Sequence, residues 1–138
     1  MKKISIVISV YNEEKVLELF FNRFKDMCLT WKWDYELICV NDGSFDDSLL
    51  ILKKYAAVDK KIKVISFSRN YGHEAAMIAG IDNAEGEGIV CMDADLQHPL
   101  ECIEKIISKF EEGYEVISMV RLENKSAGFV KNLTSKAI

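Results

Sequence analysis

Two carboxylates, at positions 93 and 95, are the strongest candidates for chemistry in this sequence. The motif Asp93-Ala94-Asp95 follows directly on an apolar run, residues 89–92. If that run is a strand, residues i and i+2 point to the same side, so both carboxylates share one side of it. Such a pair can hold one hard divalent cation, and Gln97 continues the same parity as a neutral oxygen ligand. The alternative is a solvated loop in which Asp93 caps the following helix.

A second polar cluster, Asn41-Asp42-Gly43-Ser44, has two interpretations. Its residue types are typical of a turn, and Ser44 or Asp46 is a suitable cap for the helix that follows. At the edge of a sheet, the Asp42 carboxylate would instead accept hydrogen bonds from a nucleotide base or a ribose. The sequence leaves both interpretations open.

Two cationic side chains, Arg69 and His73, flank Gly72 just before a predicted helix. A helix N-terminus with a glycine and a cation suits a diphosphate, which makes Arg69 a candidate ligand-binding residue. The alternative is an exposed arginine and a histidine that only begins a helix. Tyr11 either stacks on a ring or covers the edge of the sheet, and His98 is interpreted as a local hydrogen-bonding residue.

Short apolar runs alternate with longer segments of helical period along the whole chain. The predicted strands are residues 4–10, 36–40, 63–67, 88–92 and 115–120, and the predicted helices are 13–28, a segment after 46, 73–84, 99–113 and one from about 126. Asn12 is the predicted N-cap of the first helix. This alternation predicts an α/β fold, with a mainly parallel sheet flanked by helices. Each polar cluster then falls at the carboxyl end of a strand, where such sheets bind ligands.

Composition narrows the class of protein. The chain has 138 residues, a net charge of −4 and a pI of about 5.2, which indicates one globular domain and disfavours a nucleic-acid binder. The four cysteines lack CxxC spacing and are interpreted as reduced core residues. No apolar run approaches the ~20 residues of a membrane span.

Several common motifs are absent from the sequence. It contains no G-x-G-x-x-G after the first strand, no P-loop and no G-x-S-x-G elbow, which disfavours a nicotinamide-binding fold of the usual kind, a P-loop enzyme and an elbow-type hydrolase. A phosphoreceiver domain would fit the length, but the third strand ends in Ser68-Arg69-Asn70 where that domain needs an aspartate.

Three motifs, in their order and spacing, resemble those of family 2 glycosyltransferases with the nucleotide-binding GT-A fold. They are Val10-Tyr11-Asn12-Glu13-Glu14, Val40-Asn41-Asp42-Gly43-Ser44-Phe45-Asp46 and Met92-Asp93-Ala94-Asp95-Leu96-Gln97-His98-Pro99. The segment 69–76, with Gly80 and Ala84, resembles the bactoprenol branch of the polyprenyl-phosphate sugar transferases, a group that includes the dolichol-phosphate mannose synthases. The resemblance covers residues 4–121.

The resemblance implies a nucleotide-sugar site. The implied nucleotide-contacting residues are Ser9, Tyr11, Glu13, Val40, Asp42, Asp93, Ala94 and, on a phosphate, Arg121. Arg69 joins this set through the helix-terminus argument above. Asp93 and Asp95 would be catalytic, and with Gln97 they would bind Mg²⁺ or Mn²⁺. Many relatives have proline where this chain has Ser9.

The implied reaction is inverting transfer of a sugar from a nucleoside-diphosphate sugar, by one in-line attack, to a polyprenyl phosphate. A lipid phosphate is ionised at neutral pH, because its second pKa is near ~6, and needs no protein base. Transfer to a saccharide hydroxyl would need a carboxylate base, for which the sequence offers no candidate. A non-catalytic nucleotide-sugar-binding remnant is the remaining alternative.

The length departs from the family pattern. Family members usually continue with an acceptor-binding half, and the lipid-linked branch often adds membrane helices. Residues 1–138 are therefore interpreted as a truncated or fragmentary donor-binding domain. The expected partners are the sugar nucleotide and a polyprenyl phosphate or glycan acceptor, without nucleic acid. Membrane contact would come only through a missing C-terminal part, and the expected location is the cytoplasm or the cytoplasmic face of the membrane.

Overall fold

Four strands form one parallel sheet in this computed structural model, which describes residues 3–31, 33–94, 103–105, 107–108, 116–118 and 129–131. The strands are β1 (Lys3–Val10), β2 (Asp34–Asn41), β3 (Ile62–Ser66) and β4 (Gly88–Asp93), in the spatial order β3-β2-β1-β4. Their continuous apolar runs are buried because helices cover both faces of a parallel sheet. The four strands confirm the mainly parallel α/β fold predicted from the sequence.

The helices lie where the helical periods predict them. They are α1 (Glu14–Cys28), α2 (Ser48–Val58) and α3 (His73–Asp82), and residues 103–105 and 107–108 are also helical. The buried residues of α1 are Leu17, Phe20, Phe21 and Phe24, and Phe21 stacks on Tyr55 of α2 at 4.1 Å between ring centroids. Both ends of the helix predicted at 99–113 lie outside the described residues.

The strand order reverses between β1 and β4. The chain runs outward from β1 through β2 to β3, and then α3 returns it to the other side of β1. Because such crossovers are right-handed, this reversal places α3 on the face opposite α1 and α2. The crevice beyond the carboxyl ends of β1 and β4 is thus the switch point at which open α/β sheets bind ligands.

The end of the described chain differs from the prediction. Strand β5 (Val116–Ser118) confirms an extended segment there, but it pairs antiparallel with β6 (Phe129–Lys131) in a separate two-stranded sheet. The strand therefore does not extend the main sheet, as the predicted alternation implied, and the prediction of a helix across 129–131 is wrong. An apolar run predicts an extended strand but not its partner, and the aromatic and β-branched types of Phe129 and Val130 favour a strand over a helix.

A buried carboxylate joins the elements at the amino edge of the sheet. Glu36 of β2 is 1% exposed and accepts hydrogen bonds from Ser5 Oγ at 2.5 Å, the Glu85 backbone N–H at 2.6 Å and Lys63 Nζ at 2.7 Å. Burial acts to raise the pKa of Glu36, but these hydrogen bonds outweigh it and hold the pKa below its ordinary value. The cluster ties the loop before β4 to β1, β2 and β3.

The cysteines of the described chain are free thiols, as predicted. They are Cys28, Cys39 and Cys91, and Cys102 lies outside the described residues. Burial raises the pKa of the Cys28 and Cys91 thiols to about 12 in each case, so both thiols are protonated and unreactive near neutral pH. Across the part of the chain that the structure describes, no helix has both the length and the apolar character needed to cross a bilayer.

Candidate functional site

The loop after β3 is held in place by the carboxylate of Asp42, the first residue after β2. Asp42 is 3% exposed, and its side chain accepts hydrogen bonds from the Tyr71 backbone N–H at 2.7 Å, the Gly72 N–H at 3.1 Å and Asn70 Nδ2 at 3.1 Å. Its own N–H donates to the Val10 carbonyl at 2.9 Å. The predicted hydrogen bonds from a base or ribose to Asp42 stay a prediction; the structure shows a loop anchor.

Gly43 allows the loops after β2 and β3 to touch backbone to backbone. Its φ is +72°, in the left-handed region that favours glycine. A Cβ at this position would overlap the carbonyl carbon of Arg69 and the nitrogen of Asn70. The turn chemistry that the sequence suggested for this motif is therefore present, and it serves a close contact between loops.

We expect Asp42→Asn to loosen the loop after β3. The variant amide keeps one oxygen but turns an NH₂ group toward backbone N–H donors, and each lost bond to a charged acceptor costs roughly 1.5–3 kcal/mol. Hydrogen exchange at the amides of Tyr71 and Gly72 should accelerate by at least about tenfold, since 1.4 kcal/mol is a factor of ten. Protection of the Asp42 N–H itself, which donates to Val10, serves as the internal control. Unchanged exchange at both amides would contradict the anchoring role.

The loops after β1 and β2 cap each other's helices. At the start of α1, the Glu13 N–H donates to Ser48 Oγ at 2.8 Å and the Glu14 N–H donates to Asp46 Oδ2 at 3.2 Å; in return the Asp47 N–H donates to Glu14 Oε1 at 2.8 Å. Burial acts to raise the pKa of Asp46, but hydrogen bonds from Ser48 and from backbone N–H groups hold it below its ordinary value.

The predicted N-cap role of Asn12 is wrong. The residue before α1 is Glu13, which makes no side-chain cap hydrogen bond. Asn12 has φ 53° and bridges to the neighbouring loop, because its N–H donates to Ser44 Oγ at 2.9 Å and its Oδ1 accepts from the Phe45 N–H at 2.8 Å. Sequence spacing could not reveal this pairing, since the partners are more than thirty residues apart.

Exposed aromatic rings lie along this edge of the sheet. Tyr11 and Phe45 are 41% and 85% exposed, with ring centroids 6.3 Å apart in an edge-to-face arrangement. The Arg69 guanidinium lies 4.4 Å from the centroid of the Tyr71 ring, and its hydrogen bond and charge lower the pKa of Tyr71. Tyr11 and Arg69 are therefore accessible to a ligand, as their predicted roles require.

Asp93, Ser9 and His73 come together at the switch point. Asp93 ends β4 and is the register partner of Ser9 on β1. His73 Nδ1 lies 3.0 Å from Ser9 Oγ and 3.6 Å from Asp93 Oδ1. The Asp93 side chain is 34% exposed, so it is available to a ligand in the crevice. Neither the Ser9–His73 contact nor the reach of His73 to Asp93 was predicted, because 64 residues separate Ser9 from His73.

Some of the remaining predicted site residues are described by the structure, and others are not. Val40 and Ala94 are fully buried, so their side chains are covered, whereas Glu13, between β1 and α1, is half-buried. Asp95, Gln97 and Arg121 lie outside the described residues, and so do His98 and the start of the predicted fourth helix. Within the described ranges, no group of three or more His, Cys, Asp or Glu side chains could by itself hold a metal ion.

The comparisons with known sequences agree on one family. The model of glycosyl transferase family 2 matches residues 5–137. The chain is 47% identical over 131 residues to the uncharacterized glycosyltransferase YkcC of Bacillus subtilis, covering 95% of this chain and 41% of that protein. It is 38% identical to the undecaprenyl-phosphate 4-deoxy-4-formamido-L-arabinose transferase of Proteus mirabilis, covering 100% and 42%, and 34% identical to the prophage bactoprenol glucosyl transferase homolog of Escherichia coli, covering 97% and 44%. The chain thus spans less than half the length of these relatives.

Solved structures show the same fold. The mannosyltransferase PcManGT of Pyrobaculum calidifontis, in complex with GDP-Man and Mn²⁺, matches with a TM-score of 0.70 at 17% identity, over 87% of this chain and 36% of that one. TarS of S. aureus in complex with UDP-GlcNAc matches with a TM-score of 0.63 at 24% identity, over 83% and 33%. The resemblance drawn from three motifs is confirmed, and the chain belongs to glycosyl transferase family 2, with the GT-A fold of the glycosyltransferases.

Proposed function

We propose that residues 1–138 are the donor-binding part of a metal-dependent, inverting glycosyltransferase that moves a sugar from a nucleoside-diphosphate sugar to a polyprenyl phosphate. The main support is the place of Asp93, a partly exposed carboxylate at the switch point between β1 and β4. Two relatives that are similar over nearly the whole chain are named for undecaprenyl phosphate and bactoprenol, which supports a lipid phosphate acceptor.

The side chains proposed as ligands suit a hard cation. Asp93 and Asp95 offer carboxylate oxygens and Gln97 an amide oxygen, the donor types that Mg²⁺ and Mn²⁺ prefer. When bound, the cation supplies Lewis-acid stabilisation of the charge that develops on the leaving diphosphate. Without it, the two carboxylates repel a diphosphate, so donor binding and cation binding depend on each other.

The other residues orient the donor. Tyr11 offers an exposed ring to a base or sugar, and Asp42 fixes the loop that carries Arg69. Arg69, and Arg121 from later in the chain, would neutralise diphosphate charge. A lipid phosphate attacks the anomeric carbon as an anion already ionised at neutral pH, so no residue of this chain acts as a base. Because the acceptor is a membrane lipid, we place the reaction at the cytoplasmic face of the membrane.

Calorimetric titration of the chain with UDP-glucose and GDP-mannose, in Mn²⁺ and in EDTA, tests the donor and metal requirements. We expect binding of one donor in Mn²⁺ and a loss of at least about 100-fold in EDTA, because the carboxylates then repel the diphosphate. Equal binding in both buffers would contradict metal dependence.

The acceptor is tested by offering the protein undecaprenyl phosphate or a saccharide together with the donor that it binds. We expect transfer of the sugar to undecaprenyl phosphate, and product analysis should show inversion at the anomeric carbon. Transfer to a saccharide alone would replace the proposed acceptor. Donor binding with neither transfer nor donor hydrolysis would indicate a non-catalytic nucleotide-sugar-binding protein.

A further inference from the structure

Helix α3 approaches the sheet closely through small residues. His73, Ala76 and Gly80 are spaced three and four apart, which places them on one face of the helix. Ala76 is fully buried, and a Cβ on Gly80 would overlap the Val7 side chain of β1. Helix α3 therefore lies on the β1 face that carries Val7, and two residues later along that strand the same face carries Ser9.

This packing brings His73 over the carboxyl edge of the sheet. Two helical turns separate His73 from Gly80, so the contact between Gly80 and Val7 fixes the height of the His73 side chain above β1. The imidazole reaches the register pair Ser9 and Asp93, with Nδ1 at 3.0 Å from Ser9 Oγ and 3.6 Å from Asp93 Oδ1. The His73 side chain is nevertheless 58% exposed, because it overhangs the crevice.

The arrangement is unsuited to nucleophilic catalysis by serine. In a Ser-His-Asp triad, the hydroxyl and the carboxylate use opposite nitrogens of the imidazole. Here both oxygens face Nδ1, so His73 cannot take a proton from Ser9 on one side while Asp93 orients it from the other. With the proton on Nδ1, the ring donates to Ser9 Oγ at 3.0 Å and turns the same N–H toward Asp93 Oδ1 at 3.6 Å, an electrostatic contact longer than a hydrogen bond.

We propose that His73 is a positioning residue that orients the Asp93 carboxylate for the divalent cation and the donor diphosphate, and that Ser9 fixes the imidazole in that role. The inference rests on the proposed function, since it assigns His73 to the same site. Partners that orient a metal-binding carboxylate typically change metal affinity by 10–100-fold when they are removed. His73 and Ser9 would contribute on this scale without contacting the cation.

Direct Mn²⁺ binding tests the inference without relying on catalysis. Free Mn²⁺ is measured by electron paramagnetic resonance in titrations of the wild-type chain, His73→Ala, His73→Asn and Ser9→Ala, each with UDP or GDP present. We expect His73→Ala to weaken Mn²⁺ binding about 10-fold or more, and Ser9→Ala to weaken it by a smaller factor. His73→Asn should restore much of the affinity, because its side-chain amide reaches the place of Nδ1. Glu74→Gln, a change at an exposed neighbour on the same helix, is the matched control.

The outcomes separate this inference from the proposed function. If the wild-type chain binds no Mn²⁺ with either nucleotide, the proposed function and the inference both fail. If wild type binds, Asp93→Asn abolishes binding and His73→Ala matches the Glu74→Gln control, only the positioning role is overturned. A loss in His73→Ala that Asn does not restore, with Ser9→Ala unchanged, also overturns it, because the effect would then come from the helix end.

Discussion

Asp93→Asn should abolish metal-dependent donor binding while it leaves the fold intact. The substitution keeps the size of a side chain that is one-third exposed at the end of β4, so the core beneath it is undisturbed. It removes one of the two proposed anionic ligands of the cation, and without the cation the Asp95 carboxylate repels the diphosphate. We therefore expect the affinity for UDP-glucose or GDP-mannose in Mn²⁺ to fall by at least ~100-fold, measured by calorimetry.

The same variant should behave in the opposite way without metal. In EDTA, the wild-type Asp93 carboxylate repels the donor diphosphate, and Asn does not. Donor binding by Asp93→Asn in EDTA should therefore equal or exceed that of the wild-type chain. Asp82→Asn removes the same charge from an exposed position at the far end of α3 and should change neither titration. A variant that loses affinity equally in both buffers would indicate that Asp93 is needed for structure instead of for cation binding.

The sheet and the edge that carries the site could be predicted because they depend on local patterns. Continuous apolar runs predicted four parallel strands, and the polar clusters that follow them placed Asp42 and Asp93 at one edge. The partner of a strand is not a local property. The segment at 116–118 was therefore predicted correctly as a strand, but its sheet was not. It pairs with Phe129–Lys131 in a sheet separate from the four parallel strands.

The contacts that organise the site could not be predicted because they join residues distant in sequence. Asp42 was predicted to accept hydrogen bonds from a base or ribose, and no local pattern indicated that its carboxylate also holds the backbone of Tyr71 and Gly72. Asn12 satisfies the local preferences of a helix cap, but hydrogen bonds to the loop after β2 engage it instead. In both cases the sequence correctly placed a polar residue at the end of a strand. Which groups that residue hydrogen-bonds depends on how the neighbouring loops pack.

Glu36→Gln should destabilise the fold more than any other single carboxylate change at the amino edge of the sheet. Its side chain is 2% exposed, and the substitution turns one charged acceptor into an NH₂ group facing Lys63 Nζ, now 2.7 Å from Oε1. Removing one member of a buried charged cluster leaves its partners without compensation, and we expect a loss of about 2–3 kcal/mol in the free energy of unfolding near pH 7. Urea denaturation measures the change.

The pH dependence identifies the charge as the cause. Because the folded pKa of Glu36 is lowered, its stabilisation is complete above the unfolded pKa of about 4.3 and is lost as pH falls through the folded value. The gap in unfolding free energy between wild type and Glu36→Gln should thus be constant from about pH 7 to about pH 5 and shrink toward about pH 3.

Asp34→Asn is the matched control. Asp34 lies on the same strand and also pairs with a lysine, Lys61, at 2.7 Å, but both side chains are about half exposed. Exposed pairs contribute little because water screens them, so Asp34→Asn should stay close to wild type. Equal effects of the two variants, or a gap that does not change with pH, would show that the charge of Glu36 is not the source of the stabilisation.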